Sequence, residues 1–383
     1  MFSIFKTFFW LGWISFGGPA AHIGYFRHTF VNNIKWLDDK EYTQLVALSQ
    51  FLPGPGSSQV GFAIGYKQGG LFGAIMAFVG FTLPSIILML GLALLSSQLN
   101  QSPLFQSIVH GLKLLAVVVV ADATWGMYKS FCKQRLTVSL CLVTAAALLI
   151  VPSISTQLML LIFAAIIGAK YLRSNELSSN ELNSGNNLKP TAWPIATFCF
   201  LLIALPLLTS DIPLFNLFTD FFQAGSLVFG SGHVVLPLLQ NIVGEQISQD
   251  AFLTGYAAAQ AVPGPMFTFA TYIGYQLMPQ SPIIGALVAT LGVFLPGFLL
   301  LLGVLKQWQC LAKTPKVSGA LNGVNAAVVG LLLAALYQPV FTSAVINSSD
   351  LVFVLIGFYL LKELKLPIIW IVSSFILIGI LRV

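Results

Sequence analysis

"QFLPGPGSSQ", residues 50–59, decides how this chain folds. It sets Pro53, Pro55 and two glycines in the middle of an apolar stretch, where a membrane helix would be expected to run unbroken. Two prolines in three residues remove two amide donors, so no continuous helix passes through. The same break returns 210 residues later in "QAVPGPMFTF", residues 260–269, with Gln260, Pro263, Gly264 and Pro265 in the places of Gln50, Pro53, Gly54 and Pro55. Two breaks in register point to a built feature.

The surroundings of the breaks set the class. Of the 383 residues 57% are apolar and 8% charged. Runs such as "LFGAIMAFVGFTLPSIILMLGLALL", residues 71–95, exceed the ~20 residues that cross a bilayer. An all-α polytopic membrane protein is expected, with the lipid bilayer as its surroundings. The formal net charge is +6, but the basic residues lie in short loops between apolar runs, which reads as topology and not as a nucleic-acid face. Cys132, Cys141, Cys199 and Cys310 are scattered without a CxxC pair, so no disulfide framework, metal site or iron–sulfur cluster is indicated and they read as core residues. No cofactor is expected. An embedded reductase would need an electron carrier, and there is no haem signature, Rossmann fingerprint or CxxC cluster, so the chain does not read as an enzyme. The first twenty residues resemble a cleavable signal peptide, yet "FGGPAAH" has a counterpart in "FGSGHVV" further on, and we expect the segment to be kept.

A repeat organises the chain. Aligning its halves pairs Gly17 with Gly230, Pro53 with Pro263, Pro84 with Pro296 and Gly111 with Gly323, at offsets of 213, 210, 212 and 212. Two repeats are expected, at 1–172 and 213–383. Between them, 173–212 holds a polar, cytoplasmic linker, 173–192, and a connecting apolar helix, 193–210. Continuous spans are expected at 71–95, 107–128, 136–152, 154–172, 193–210, 283–304, 320–337, 340–361 and 366–382, with broken or re-entrant segments around Gly17, Pro53, Gly230 and Pro263. All of the 18 basic residues except Lys113 and Arg382 then fall on one side, which the positive-inside rule makes the cytoplasm. Five crossings separate equivalent points, so inverted-topology repeats are expected, with their breaks meeting near the membrane midplane.

Non-helical backbone at membrane depth is tolerated only inside protein or along a wet cavity. Interrupted helices also present N-termini whose free amides and positive dipole end attract anions. Paired breaks therefore suggest an anion pathway built from both halves. No G-x-x-x-x-G-K-[ST] loop occurs, so a pump would be secondary or rely on a partner.

At these residues the sequence resembles the chromate ion transporter family, in its two-domain, long-chain form. "SFGGPAAHIGYF" (15–26), "LVALSQFLPGPGSSQVGFAIGY" (45–66) and "GFTLPS" (80–85) resemble its amino-terminal signature. "VFGSGHVVLPLL" (228–239), "GYAAAQAVPGPMFTFATYIGY" (255–275) and "LNGVNAAVVGLLLAALYQP" (321–339) resemble its carboxy-terminal one. The likeness covers nearly the whole chain apart from 170–212. It implies a multi-pass protein of the bacterial inner membrane that exports chromate and confers resistance, with sulfate as a related anion. Ser231 departs from the family's more usual FGGGH, exchanging a glycine of the backbone cradle for a hydroxyl. The alternative within transport is proton-coupled uptake of sulfate, a tetrahedral dianion like chromate. A homodimer is open, with no interface that stands out.

Each candidate residue has two readings. Gly17, Gly18, Gly230, Ser231 and Gly232 form either an anion cradle or close helix contacts. Pro53, Gly54, Pro55, Pro263, Gly264 and Pro265 are either the site or simple kinks. Gln50 and Gln260 donate amide hydrogens to an oxyanion or cap loose carbonyls. His22 and His233 hold an anion, carry a coupled proton or are neutral and structural. Lys113 and Asp122 lie in an apolar run, where ionisable groups are functional candidates. Nine residues apart on a helix, they face opposite ways and cannot pair with each other. His110 and Lys113 share a face, and Asn322 and Asn325 hold the related positions in the second half, so this polar face either borders the pathway or joins helices.

Overall fold

A computed structural model of the chain describes residues 1–16, 18–99, 102–172, 191–208, 211–228, 235–243, 246–305 and 315–381, and these form helices joined by short turns, without a strand. The first half runs α1 (Phe2–Ile14), α2 (Gly18–Arg27), α3 (Asp39–Phe51), α4 (Gly56–Leu99), α5 (Pro103–Phe131), α6 (Arg135–Ile150) and α7 (Ile154–Tyr171). After α8 (Ala192–Leu207) the order repeats as α9 (Pro213–Leu227), α10 (Val235–Val243), α11 (Gln249–Ala261), α12 (Phe269–Leu277), α13 (Pro282–Val304), α14 (Pro315–Ala335), α15 (Ser348–Lys362) and α16 (Ile368–Ile380). Local chemistry sets many of the starts. Pro103, Pro213 and Pro282 open α5, α9 and α13, where the missing amide is not needed. Asp38 and Glu41 form a capping box on α3, and Asn347 and Asp350 form one on α15.

Four helical stretches are long and apolar enough to cross a membrane: Gly56–Ser96, Pro103–Phe131, Pro282–Val304 and Pro315–Ala344. The protein is a polytopic helical membrane protein, and exposed side chains such as Leu142, Ile150, Ile162, Phe163, Leu355 and Trp370 on the flanking helices form the apolar outer face this requires. Two expected spans fall differently. The one expected at 320–337 starts earlier, at Pro315, and its helical backbone breaks at Gln338 (φ −129°, ψ 116°), beside its expected end. Pro339 disfavours helical backbone at the residue before it, and Gln338 is extended there. The next helix therefore starts at Ser348, after its Asn347 cap, and not at 340.

Repeat-related helices pack alike. α1 lies on α4 and α9 on α13, so close that a Cβ on Gly12 would stand 2.7 Å from the Phe81 carbonyl and one on Gly225 would meet that of Val293. The long helices α5 and α14 instead pack across the halves. α5 is held by α15 and α16, with Gly111 against the Phe375 carbonyl, and α14 is held by α6 and α7, with Gly323 against the Ala164 carbonyl. Small residues at these crossings let backbones touch, the contact that holds helices together in lipid. The cysteine reading holds for Cys132 and Cys141, which are free and buried, and needs a correction at Cys199, which is exposed on α8. Cys310 and the linker segment 173–190 lie outside the described residues.

Candidate functional site

Both breaks have one backbone design. The residue before each first proline, Leu52 (φ −85°, ψ 148°) or Val262 (φ −85°, ψ 137°), ends its helix in the extended region, where the proline ring forces it. The glycine that follows turns the chain at positive φ, +117° for Gly54 and +96° for Gly264. A second helical arm then starts at Gly56 in the first half and at the 3-10 turn Met266–Thr268 in the second.

The broken segments are hairpins. α4 itself is kinked at Gly69 and Gly70, which leaves an arm of residues 56–68 beside α3. Lys67 Nζ donates to Glu41 Oε1 at 2.5 Å and Gln68 Nε2 to the Trp36 carbonyl at 3.1 Å. The start of α3 and the end of that arm thus lie together, with the tip at 53–55. Thirteen residues rise ~20 Å, so neither arm alone has the length of a ~30 Å hydrocarbon core. In the second half, Gly255 lies against the Tyr272 ring, and Phe252 packs on Phe269 with centroids 5.0 Å apart, flanking a tip at 263–265.

Each tip is bonded to the opposite half. The Gly54 amide donates to the Val228 carbonyl at 2.7 Å, and the Gly264 amide donates to the Ser15 carbonyl at 2.8 Å. Val228 and Ser15 both cap the first helix of their half, α9 and α1. The tip carbonyls are also taken: Gln59 Nε2 donates to Pro53 O (2.8 Å) and Gly297 O (3.1 Å), and Ser85 Oγ donates to Pro263 O (2.6 Å). A bare polar backbone group in this setting would cost ~1–3 kcal/mol. The halves therefore complete each other at the breaks.

The two halves differ in chemistry around the tips. The first half contributes Ser15, Ser57, Ser58, Gln59, Thr82 and Ser85, all buried, with Ser57, Ser58 and Gln59 following the first tip and Ser15 and Ser85 bonded to the second. At the repeat-related positions the second half has Val228, Phe267, Thr268, Phe269, Phe294 and Gly297. Of these first-half side chains, the hydroxyls of Ser15, Ser58 and Thr82 and Oε1 of Gln59 have no hydrogen-bond partner among the described residues. Thr268, by contrast, gives its hydroxyl to Pro265 O at 2.8 Å. Sequence reasoning missed these residues, because it sought the site in glycines and prolines common to both halves. The cue was the polar run Ser57, Ser58, Gln59 directly after the first break.

His22 is fully buried, with Nε2 3.1 Å from the Ser15 carbonyl and Nδ1 3.1 Å from Ser57 Oγ. A carbonyl only accepts, so Nε2 carries the proton in this geometry. Gly18 begins α2 at φ +76°. Gln50 is exposed on α3, while Gln260 places its amide on Met266 Sδ and the Tyr256 hydroxyl. Gly17, Gly230, Ser231, Gly232 and His233 lie outside the described residues. On α5, each polar candidate is joined to the second half: His110 Nε2 to Asp350 Oδ1 at 3.0 Å, Lys113 to Asp250, and Asp122 to Lys362 at 2.6 Å. Asn325 is buried and Asn322 exposed on α14. Among the described residues no cluster of His, Cys, Asp or Glu is placed to hold a metal ion.

Such a set of features, broken hairpins interlocked inside a helical membrane protein, defines the class of a membrane transporter. The chromate transporter family matches the chain twice, over residues 2–169 and 215–380, and the chain belongs to that family. It is similar to the chromate transport protein of Cupriavidus metallidurans, 29% identical over 377 residues, which is 96% of this chain and 90% of that protein. It is also similar to an uncharacterized transporter of Methanocaldococcus jannaschii, 30% identical over 337 residues, 87% of this chain and 82% of that one. An uncharacterized transporter of Bacillus subtilis, YwrA, is 25% identical over 164 residues, which is 43% of this chain but 92% of that protein. No solved structure matches the chain.

Proposed function

We infer that the protein exports chromate from the cytoplasm across the bacterial inner membrane, by alternating access around the interlocked tips, and so confers chromate resistance. The observation that carries this reading is the set of buried hydroxyls on first-half segments bordering the two tips, those of Ser15, Ser58 and Thr82, left without partners among the described residues. A buried hydroxyl without a partner is unfavourable by ~1–3 kcal/mol, and a tetrahedral oxyanion offers acceptors to all three. The first-turn amides of the arm after Gly56 add donors and a positive dipole end. The aromatic side chains of the second tip supply a wall that excludes water. Repeats of inverted topology, 1–172 and 213–383, give the two access states, since exchanging the conformations of the two halves turns the opening from one side to the other. A dianion leaving a negative-inside cell is helped by ~2.3 kcal/mol per charge per 100 mV, about 4.6 kcal/mol in all, so export runs downhill in potential without an ATPase.

The test is flux of radiolabelled chromate and sulfate into inside-out vesicles, with potential and pH gradients imposed separately. Chromate accumulation driven by an inside-positive potential, and lost in Pro53→Ala and Pro263→Ala, is the expected result. Flux of neither anion under any gradient would overturn the substrate class, and accumulation driven only by a pH gradient would overturn the electrogenic mechanism.

A further inference from the structure

A polar cavity of about 270 Å³ lies away from the tips, at the mouth of the second hairpin. It is lined by Lys113 and Gln106 of α5, Ser96 at the end of α4, Ser248, Asp250 and Thr254 at the start of α11, and Gln276 near the end of α12. α11 spans 13 residues between this mouth and its tip, so ~20 Å separates the cavity from Pro263.

Lys113 donates to Asp250 across the cavity, and the two partners are unequal. The lysine side chain is 9% exposed, the aspartate side chain 73%. The other Lys/Arg–carboxylate pairs among the described residues are evenly matched: 57% and 59% for Arg27–Asp39, 38% and 43% for Lys67–Glu41, 32% and 33% for Lys362–Asp122. Inequality decides which partner can leave. A carboxylate already in water loses little by turning fully into it, whereas a buried ammonium stripped of its counter-ion suffers a desolvation penalty of several kcal/mol. Lys113 therefore keeps a demand for an anion whenever Asp250 swings out, and the cavity leaves space for one. The space is well above the ~30 Å³ a water takes up in the liquid. Its other walls carry hydroxyls and carboxamides, the side chains that bond an oxyanion without adding charge.

We propose that this cavity is a second, outer subsite for a tetrahedral divalent oxyanion, in which the Asp250 carboxylate and the transported dianion compete for Lys113. Asp250 is a built-in substitute anion: it keeps Lys113 neutralised while the subsite is empty and gives way when a dianion arrives. The proposal rests on the reading of the protein as an oxyanion transporter and adds a station between the tips and one face of the membrane. It separates the roles of two residues whose loss a merely structural ion pair would make equivalent.

The experiment measures equilibrium binding of radiolabelled sulfate, which resists reduction, to the full chain in lipid nanodiscs, with chromate flux in vesicles alongside. Asp250→Asn removes the competitor and keeps a polar side chain, so sulfate is expected to bind about tenfold tighter. Lys113→Gln removes the cation and is expected to bind at least about tenfold more weakly. Lys113→Arg restores charge and is expected to recover most of the affinity. Equal affinity in wild type, Asp250→Asn and Lys113→Gln, or weakening by both of these substitutions, overturns the subsite. Absence of sulfate binding to Asp250→Asn overturns it too, whether or not Lys113→Gln folds. Opposite shifts without chromate flux in wild type would leave the subsite standing and refute chromate export; chromate flux with unshifted binding would do the reverse.

Discussion

Gly54 and Gly264 hold related places in the two tips, yet what crowds them differs. A Cβ on Gly54 would stand 2.8 Å from the Gly297 Cα, which is backbone, while one on Gly264 would run into the Ser85 hydroxyl, a side chain. Both glycines sit at positive φ, where an alanine is strained by ~1–2 kcal/mol. Gly54→Ala and Gly264→Ala should each abolish most chromate flux, but Ser85→Gly should recover part of it for Gly264→Ala and none for Gly54→Ala. Flux measured in the double variants checks this. The buried polar side chains of the first half make a second contrast. Ser58→Ala or Thr82→Val should raise the KM for chromate about five- to tenfold, the worth of one buried hydrogen bond, whereas Thr268→Ala at the second tip should leave KM within about twofold. The glycines and prolines of the tips were legible in the sequence because their effect on the backbone is local. Ser85 on Pro263 and Gln59 on Gly297 were not, since a side chain's partner more than 170 residues away is fixed only by packing. Gln50 shows the opposite failure: its spacing from the break matches that of Gln260, but it faces outward.

Among the elements, the hairpin of α3 and the 56–68 arm makes the most direct prediction. Glu41 and Lys67 meet at its open end, 26 residues apart in sequence. In a chain free of native cysteines, Glu41→Cys and Lys67→Cys should both be labelled by an impermeant thiol reagent from the same side of the membrane. Labelling from opposite sides would show instead a helix that crosses. The pair is half-exposed, so breaking it should alter stability by less than ~1 kcal/mol and the reagent reports position alone. Sequence reasoning located the break but left open whether the arms return or cross, because proline punctuation gives an interruption and not a direction. Composition likewise carried the long helices α5 and α13 and the end of α14, where Gln338, just before Pro339, is extended.

At the scale of the molecule, the halves are woven rather than juxtaposed. α5 is held by α15 and α16, and α14 by α6 and α7. The repeat was legible from four landmarks in the sequence, but this exchange of partners was not, because hydrophobic periodicity tells which face of a helix is buried and not against what. Cutting the chain in the linker, at residue 180, should therefore leave two fragments that co-purify from one membrane and restore chromate flux together. Neither fragment alone should support flux, since each lacks the helices that hold its own α5 or α14. Flux from a single fragment would contradict the exchanged packing.

Synthesis gives that weave an order in time. His110 waits for Asp350 and Asp122 for Lys362, each 240 residues downstream, and Lys113 for Asp250, 137 residues on. At ~5–20 residues per second on the ribosome, α5 exists for roughly 7–50 seconds before these partners are made. During that interval three ionisable groups on one apolar helix have no counter-ion from the second half, a condition that lipid penalises. The first half is thus a nascent chain with an unfinished interior. Its charges are matched only once the second half is made.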